Sequence, residues 1–128
     1  MEFFNSDATK AANMPFSQAV RAGDTLYLSG HLGNVPGKFE LVPGGIEAES
    51  RQTMDAIGAT LKLAGASFGD IVKCVVYLAD LKEWGAFNKV YTEYFPAGRF
   101  PARTAVGVKE LVMGARVEVE CWAWLGKS

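Results

Sequence analysis

Arg103 is the residue in this sequence best suited to grip a small anion. It follows Phe100-Pro101-Ala102, and the proline restricts the backbone so that the guanidinium is presented at the start of a strand. A guanidinium at a strand end beside a cleft can hold a carboxylate through two parallel hydrogen bonds. The same placement allows a structural salt bridge to Glu118 or Glu120 on the final strand, and spacing alone does not separate the two readings. Ser29 and His31 lie two apart at a strand end and point the same way, as a nucleophile and its base would. Two residues on one strand seldom reach the required hydrogen-bond geometry, and no nearby acid is evident to orient the imidazole. A serine hydrolase is therefore not expected. Gly37-Lys38 resembles the tail of a phosphate-binding loop, but Leu32 stands where its first glycine belongs and Phe39 where Ser or Thr belongs. Cys74 and Cys121 lie far apart in apolar runs, without Cys-x-x-Cys spacing and with a single His in the chain. They read as buried free thiols, and no metal site is expected.

The elements that must carry these groups fit in one domain. A length of 128 residues is enough for one real core and too little for two, so a single domain over 1–128 is expected. The hydrophobic fraction is 49% and the charged fraction 21%, ordinary for a soluble globular protein, and no stretch approaches a membrane span. With 13 basic against 14 acidic residues the net charge is −1, which offers no broad attraction for nucleic acid or anionic lipid. The start, Met1-Glu2-Phe3-Phe4-Asn5-Ser6-Asp7, lacks the basic and apolar regions of a secretory signal. A cytosolic location is expected.

Hydrophobic periodicity predicts short strands over 17–23 and 25–31, joined by an Ala22-Gly23-Asp24 turn. A turn-rich stretch leads to a third short strand over 39–42, ended by Pro43-Gly44-Gly45. From Glu47 to Ala64 the period becomes helical, with Ser50, Met54, Ile57, Leu61 and Ala64 on one face and Gly65 as a natural stop. Residues 71–78 are apolar at nearly every position, as in a central strand covered on both faces. Trp84, Phe87, Tyr91, Tyr94 and Phe95 trace a second helical stripe, expected to be core. Strands over 104–109 and 115–125, separated by Met113-Gly114, finish the chain. This order describes an α+β domain, a mixed β-sheet with two helices packed on one face.

The last strand is the most informative. Side chains alternate across a sheet, so Val117, Val119, Cys121 and Ala123 share the core face, while Glu118, Glu120, Trp122 and Trp124 share the other. Two carboxylates and two indoles suit neither a dry core nor a plain solvated surface. Such mixtures occur where a second subunit or a ligand covers the sheet, and a self-association surface is predicted there.

Seven blocks follow one another in a familiar order: Pro15-Phe16-Ser17-Gln18-Ala19-Val20, Leu26-Tyr27-Leu28-Ser29-Gly30, Val42-Pro43-Gly44-Gly45-Ile46-Glu47-Ala48, Arg51-Gln52-Thr53-Met54, Phe87-Asn88-Lys89-Val90-Tyr91, Pro101-Ala102-Arg103-Thr104 and Val117-Glu118-Val119-Glu120. From about Ala12 to Ala123 the chain resembles the RidA/YjgF family, also labelled endoribonuclease L-PSP. The resemblance implies a chorismate mutase-like fold and a homotrimer whose sheets line a central β-barrel, with clefts between subunits. It implies hydrolysis of reactive 2-imino acids, such as 2-iminobutanoate and 2-iminopropanoate, or of their enamine tautomers, to 2-keto acids and ammonia, without metal or organic cofactor. By the same resemblance Arg103 holds the substrate carboxylate, Glu118 positions water and moves protons, and Ser29, Gly30 and Asn88 line the pocket.

Three positions depart from the family pattern. Phe16 stands where many deaminating members have Tyr, His31 replaces a frequent Gln beside the pocket, and Ala105 occupies a position where some members carry Cys. These changes bear on the substrate more than on the reaction type, and leave room for a larger or more apolar imino acid, or for a catabolic enamine such as 2-aminomuconate or aminoacrylate. Two other functions compete: a non-catalytic small-molecule-binding trimer, favoured by the missing tyrosine hydroxyl, and a ribonuclease or translation inhibitor. The near-neutral charge and the lack of a basic aromatic strip count against the last.

Overall fold

In the computed structural model, which describes residues 1–126, the chain runs β1 (Glu2–Phe4), α1 (Asp7–Ala12), β2 (Ala19–Ala22), β3 (Thr25–Leu28), β4 (His31–Leu32), α2 (Gly45–Leu63), β5 (Ile71–Leu78), α3 (Trp84–Tyr91), β6 (Ala102–Gly107) and β7 (Val117–Trp124). The strands form one sheet in the order β1-β2-β3-β7-β5-β6, and β4 pairs with β7 beyond the end of β3. Pairing is antiparallel except between β5 and β6. That parallel pair is possible because α3 lies in the crossover between them. The α+β class read from the periodicity is the architecture found.

The predicted alternation of β7 holds along its length. Val117, Val119, Cys121 and Ala123 are buried against Met54, Ile57 and Leu61 of α2 and Phe87 and Tyr91 of α3, together with Cys74, Val76 and Leu78 of β5. Both long helices thus cover one face of the sheet. Glu118, Glu120 and Trp122 are half-buried on the other face, and Trp124 is exposed. The free thiols of Cys74 and Cys121 face each other across β5 and β7, Sγ to Sγ 3.1 Å, inside the core. The α2 helix stops where Gly65 takes a left-handed φ of +72°, so that Gly65 N–H reaches the Lys62 carbonyl at 3.1 Å and Ala66 N–H the Leu61 carbonyl at 2.8 Å.

Other expectations need correction. Residues 39–42 form no strand: the turn at 36–38 brings the chain back only far enough for a single bridge, Asn34 to Leu41. Two backbone hydrogen bonds flank it, Val35 N–H to the Glu40 carbonyl at 2.7 Å and Val42 N–H to the Gly33 carbonyl at 2.9 Å. The strand that follows β3 is instead β4, His31–Leu32, which continues its line along β7. Strand β1 and helix α1 were not foreseen, since three and six residues are too few for a period to register. Helix α1 is set by local capping: the Ser6 side chain accepts from Thr9 N–H, and Asn13 closes the helix in a left-handed conformation. Strand β5 is interior to the sheet, but only one of its faces is covered by this chain, and Lys73, Val75 and Tyr77 on the other are only half-buried. Among the described residues no helix is long and apolar enough to cross a membrane.

Candidate active site

Register decides which face each candidate occupies. Arg103 is paired with Cys74 across the parallel β5–β6 ladder, so its side chain emerges on the helix-covered face. There the guanidinium carbon sits 4.8 Å from the Tyr91 ring centroid and 5.8 Å from those of Trp84 and Phe87. Aromatic faces hold a guanidinium in place while leaving its N–H edge free to donate. Arg103 makes no salt bridge among the described residues, which removes the structural ion pair that spacing had left open. It lines a cleft of about 290 Å³ with Trp84, Asn88, Tyr91, Thr92, Phe100 and Pro101. Two buried polar atoms there, Asn88 Oδ1 and the Tyr91 hydroxyl, have no hydrogen-bond partner among the described residues. Burial pushes the Tyr91 phenol well above its ordinary range, and the Cys74 thiol beside it adds to the rise, so that the hydroxyl stays neutral inside the core while the ring lines the cleft.

Glu118 is paired with Tyr77 across the antiparallel β5–β7 ladder, on the face away from the helices. With Gly30, Tyr77, Leu111 and Glu120 it lines a second cleft of about 230 Å³. Gly30 is there because nothing larger fits: a Cβ built on it would stand 2.9 Å from Glu118 Cδ and overlap Oε2. Burial, and after it the charge of Glu120, raises the Glu118 carboxyl above the usual carboxylate range. A carboxyl moved toward neutrality can both accept and return a proton.

The remaining predicted residues divide. Ser29 abuts the second cleft through Gly30, but its hydroxyl is committed to the Ser17 carbonyl at 2.5 Å. His31 lines neither cleft. It is buried under α2, with Nδ1 donating to the Ser29 carbonyl at 2.6 Å and Nε2 accepting from the Thr60 hydroxyl at 2.7 Å. Burial lowers its pKa, so it is a neutral fixture of the loop. Thr60 in turn accepts from Gln18 Nε2 at 2.9 Å, tying α2 to the strand before Ser29. Ala105 shares the Arg103 face of β6, opposite Val76. Phe16 is 51% exposed and lines neither cleft in this chain.

One chain therefore brings Arg103 together with Asn88, and Glu118 with Gly30, in two clefts on opposite faces of the sheet. Sequence reading missed Trp84, Tyr91 and Phe100 around the arginine, and Tyr77 and Leu111 around the glutamate. A signal existed for the first group: Trp84, Asn88 and Tyr91 recur at helical spacing, so a polar side chain inside an aromatic stripe marked a wetted edge of the core. No signal existed for Tyr77, because its position opposite Glu118 depends on cross-strand register. Among the described residues no three His, Cys, Asp or Glu side chains gather as a metal-holding group.

Comparison with known proteins identifies the family. The family model described as Endoribonuclease L-PSP matches residues 6–125. A Capra hircus protein named 2-iminobutanoate/2-iminopropanoate deaminase is 47% identical over 116 residues, covering 91% of this chain and 84% of its own. Among solved structures, RidA from a Psychrobacter species superposes with a TM-score of 0.87 at 36% identity, over 97% of this chain and 99% of the other. A Thermotoga maritima structure superposes at 0.91 with 31% identity, over 99% of each chain.

Proposed function

The chain belongs to the RidA family, the family of the Endoribonuclease L-PSP model, and on that premise we propose that it hydrolyses reactive 2-imino acids, or their enamine tautomers, to 2-keto acids and ammonia. It is an imine/enamine deaminase, as its curated relatives are. The observation that carries the finer reading is the unpaired guanidinium of Arg103, stacked on three aromatic rings with its donors facing a cleft. Such an edge suits a substrate carboxylate. The Asn88 side chain, which lines the same cleft and whose Oδ1 has no partner among the described residues, suits the polar remainder of a small acid.

Glu118 takes a proton from water as the oxygen adds to the imine carbon. The same carboxyl returns that proton to nitrogen to give the carbinolamine, then relays the hydroxyl proton to the same nitrogen as the C–N bond breaks, so that both water protons end on nitrogen, ammonia leaves and the carbonyl forms. An enamine first gains a proton at carbon to become the imine. General acid–base help of this kind is worth roughly a hundredfold to ten-thousandfold.

Within one chain Arg103 and Glu118 stand on opposite faces of the sheet. In our reading a neighbouring copy supplies the second group: three chains associate through the Glu118–Trp124 face, their sheets closing a central β-barrel in a chorismate mutase-like assembly. Each chain contributes one domain, 1–128, and the trimer works in the cytosol without metal or organic cofactor. His31 acts at one remove, by holding the Ser29–Gly30 backbone, and Phe16 and Ala105 shape the walls that decide how large an acid enters.

The test supplies 2-iminopropanoate in situ from an amino-acid oxidase and follows keto-acid release. Wild type accelerates release, and Arg103→Ala and Glu118→Gln each abolish the effect. Mixing the two inactive variants and letting subunits exchange restores about a quarter of the sites, the fraction expected when each site draws its two groups from different chains. Binding of the keto acid without any acceleration by wild type would leave the non-catalytic binding module in its place.

A further inference from the structure

Cys74 and Cys121 are the only two thiols in the chain, and the chemistry above gives them nothing to do. They are direct cross-strand partners on β5 and β7. Although 47 positions separate them in sequence, their sulfurs stand 3.1 Å apart. Carbon atoms in ordinary contact settle at about 3.5–4.0 Å, and sulfur is the larger atom, so this is a thiol–thiol hydrogen bond and closer than plain packing.

We propose that Cys74 and Cys121 are a redox pair that peroxide closes into an intrachain disulfide, stapling β5 to β7 with the fold intact. Directly opposed residues of antiparallel strands have Cα atoms about 4.5 or 5.5 Å apart, and both spacings lie within the roughly 4.4–6.8 Å that a disulfide spans. Closure brings the sulfurs about 1 Å nearer, to about 2.05 Å. The irregular pairing of β5 between Ile71 and Lys73, just before Cys74, gives that strand room to adjust.

The step balances without a cofactor. The Cys74 sulfur attacks one peroxide oxygen, the O–O bond breaks, and the other oxygen leaves as water with the thiol proton. Cys74 is then a sulfenic acid. The Cys121 sulfur attacks it, the S–O bond breaks, and the hydroxyl leaves as a second water with the Cys121 proton. Two electrons pass from the sulfurs to the two oxygens. Cys74 goes first because the thiolate is the nucleophile: the hydrogen bond from Cys121 lowers its pKa against the effect of burial, helped by Tyr91 and the Arg103 charge, while that same bond and burial raise Cys121.

A buried thiol is ordinarily inert, but here a second sulfur captures any oxidation of the first. The way in is short. Tyr91 stands between the pair and the Arg103 cleft, its ring lining the cleft, and α3 ends at that residue, where local opening takes less than unfolding the sheet. Oxidation of an amino acid to its imine with oxygen as acceptor, the reaction that makes substrate in the assay above, releases one hydrogen peroxide per imine, so this oxidant accompanies substrate made that way.

The test treats reduced full-length protein with hydrogen peroxide, quenches by alkylation, and reads intact mass, a peptide map and a thermal melt. Exposed Met1 and Met14 report the dose as sulfoxides. Both thiols disappear together, and the map shows Cys74 linked to Cys121 within one chain. The closed form melts about 5 °C or more above the reduced one, as closing so long a loop should give, and incubation with dithiothreitol reverses the gain. Neither Cys74→Ala nor Cys121→Ala gains on the same treatment. Intact thiols beside oxidised Met1 and Met14, sulfinic acids in place of the link, or a link between different chains overturns the proposal. So does a closed form that melts no higher than the reduced one, because a bridge that strains the strands is no staple. No imine enters these readouts, so their outcome is separate from that of the deaminase reading.

Discussion

Gly30→Ala separates the catalytic geometry of the second cleft from its stability. The glycine is not in a left-handed conformation, so alanine brings no backbone strain. Its Cβ would lie 2.9 Å from Glu118 Cδ and 3.2 Å from Cγ, overlapping Oε2. Carbon–carbon contacts settle at about 3.5–4.0 Å, so the carboxyl has to retreat by roughly 0.6 to 1.1 Å. A misplacement of about 1 Å costs on the order of a hundredfold in rate, about 2.7 kcal/mol of barrier. The half-buried carboxylate retreats at small cost, so the melting temperature changes by only a few degrees. Keto-acid release from 2-iminopropanoate made in situ, measured beside a thermal melt, reads both quantities. A Gly30→Ala enzyme with kcat/KM within about threefold of wild type would refute the reasoning, because a displaced Glu118 would then have done no harm.

Arg103→Lys keeps a charge but loses the planar fork and its aromatic stacking. Loss of one charge-assisted hydrogen bond at about 1.5–3 kcal/mol predicts a kcat/KM drop of roughly tenfold to 150-fold, carried mainly by KM; an unchanged KM would count against a carboxylate grip. Thr60→Val strips the partner from His31 Nε2 and Gln18 Nε2 and should cost about 1–3 kcal/mol in urea unfolding. The pH dependence of stability follows from His31, the only histidine in the chain. Burial holds its folded pKa below the unfolded value of about 6.5. The unfolded chain therefore takes up the proton first, and stability falls as pH drops below about 6.5 toward the folded pKa. His31→Gln should flatten that slope below about pH 6.5, and an unchanged slope in urea melts would show that the imidazole is not the group concerned.

What could be read from sequence depended on whether the cause was local. The alternation of residues 117–124 names the core face of β7 because a period of two is intrinsic to a strand. The stop at Gly65 is equally local. The apparent strand at 39–42 failed because a strand is completed by its partner, and Pro36 and the turn after it leave that segment beside Asn34 alone. At the site, Arg103 and Glu118 were visible as residue types in family blocks. Their separation by the sheet was not, because it follows from the pairing of Cys74 with Arg103 on one side and of Tyr77 with Glu118 on the other. His31 is the sharpest case: the same imidazole would line a pocket or brace a loop depending on whether α2 offers Thr60, a residue 29 positions away.

If each site draws Arg103 and Glu118 from different chains, as proposed, the sheet that keeps them apart within one chain would make turnover a collective property. A solitary folded chain would carry two half-sites back to back, each harmless to passing metabolites. Activity would then switch on with protein concentration, and dilution would silence the enzyme well before any of its secondary structure melted.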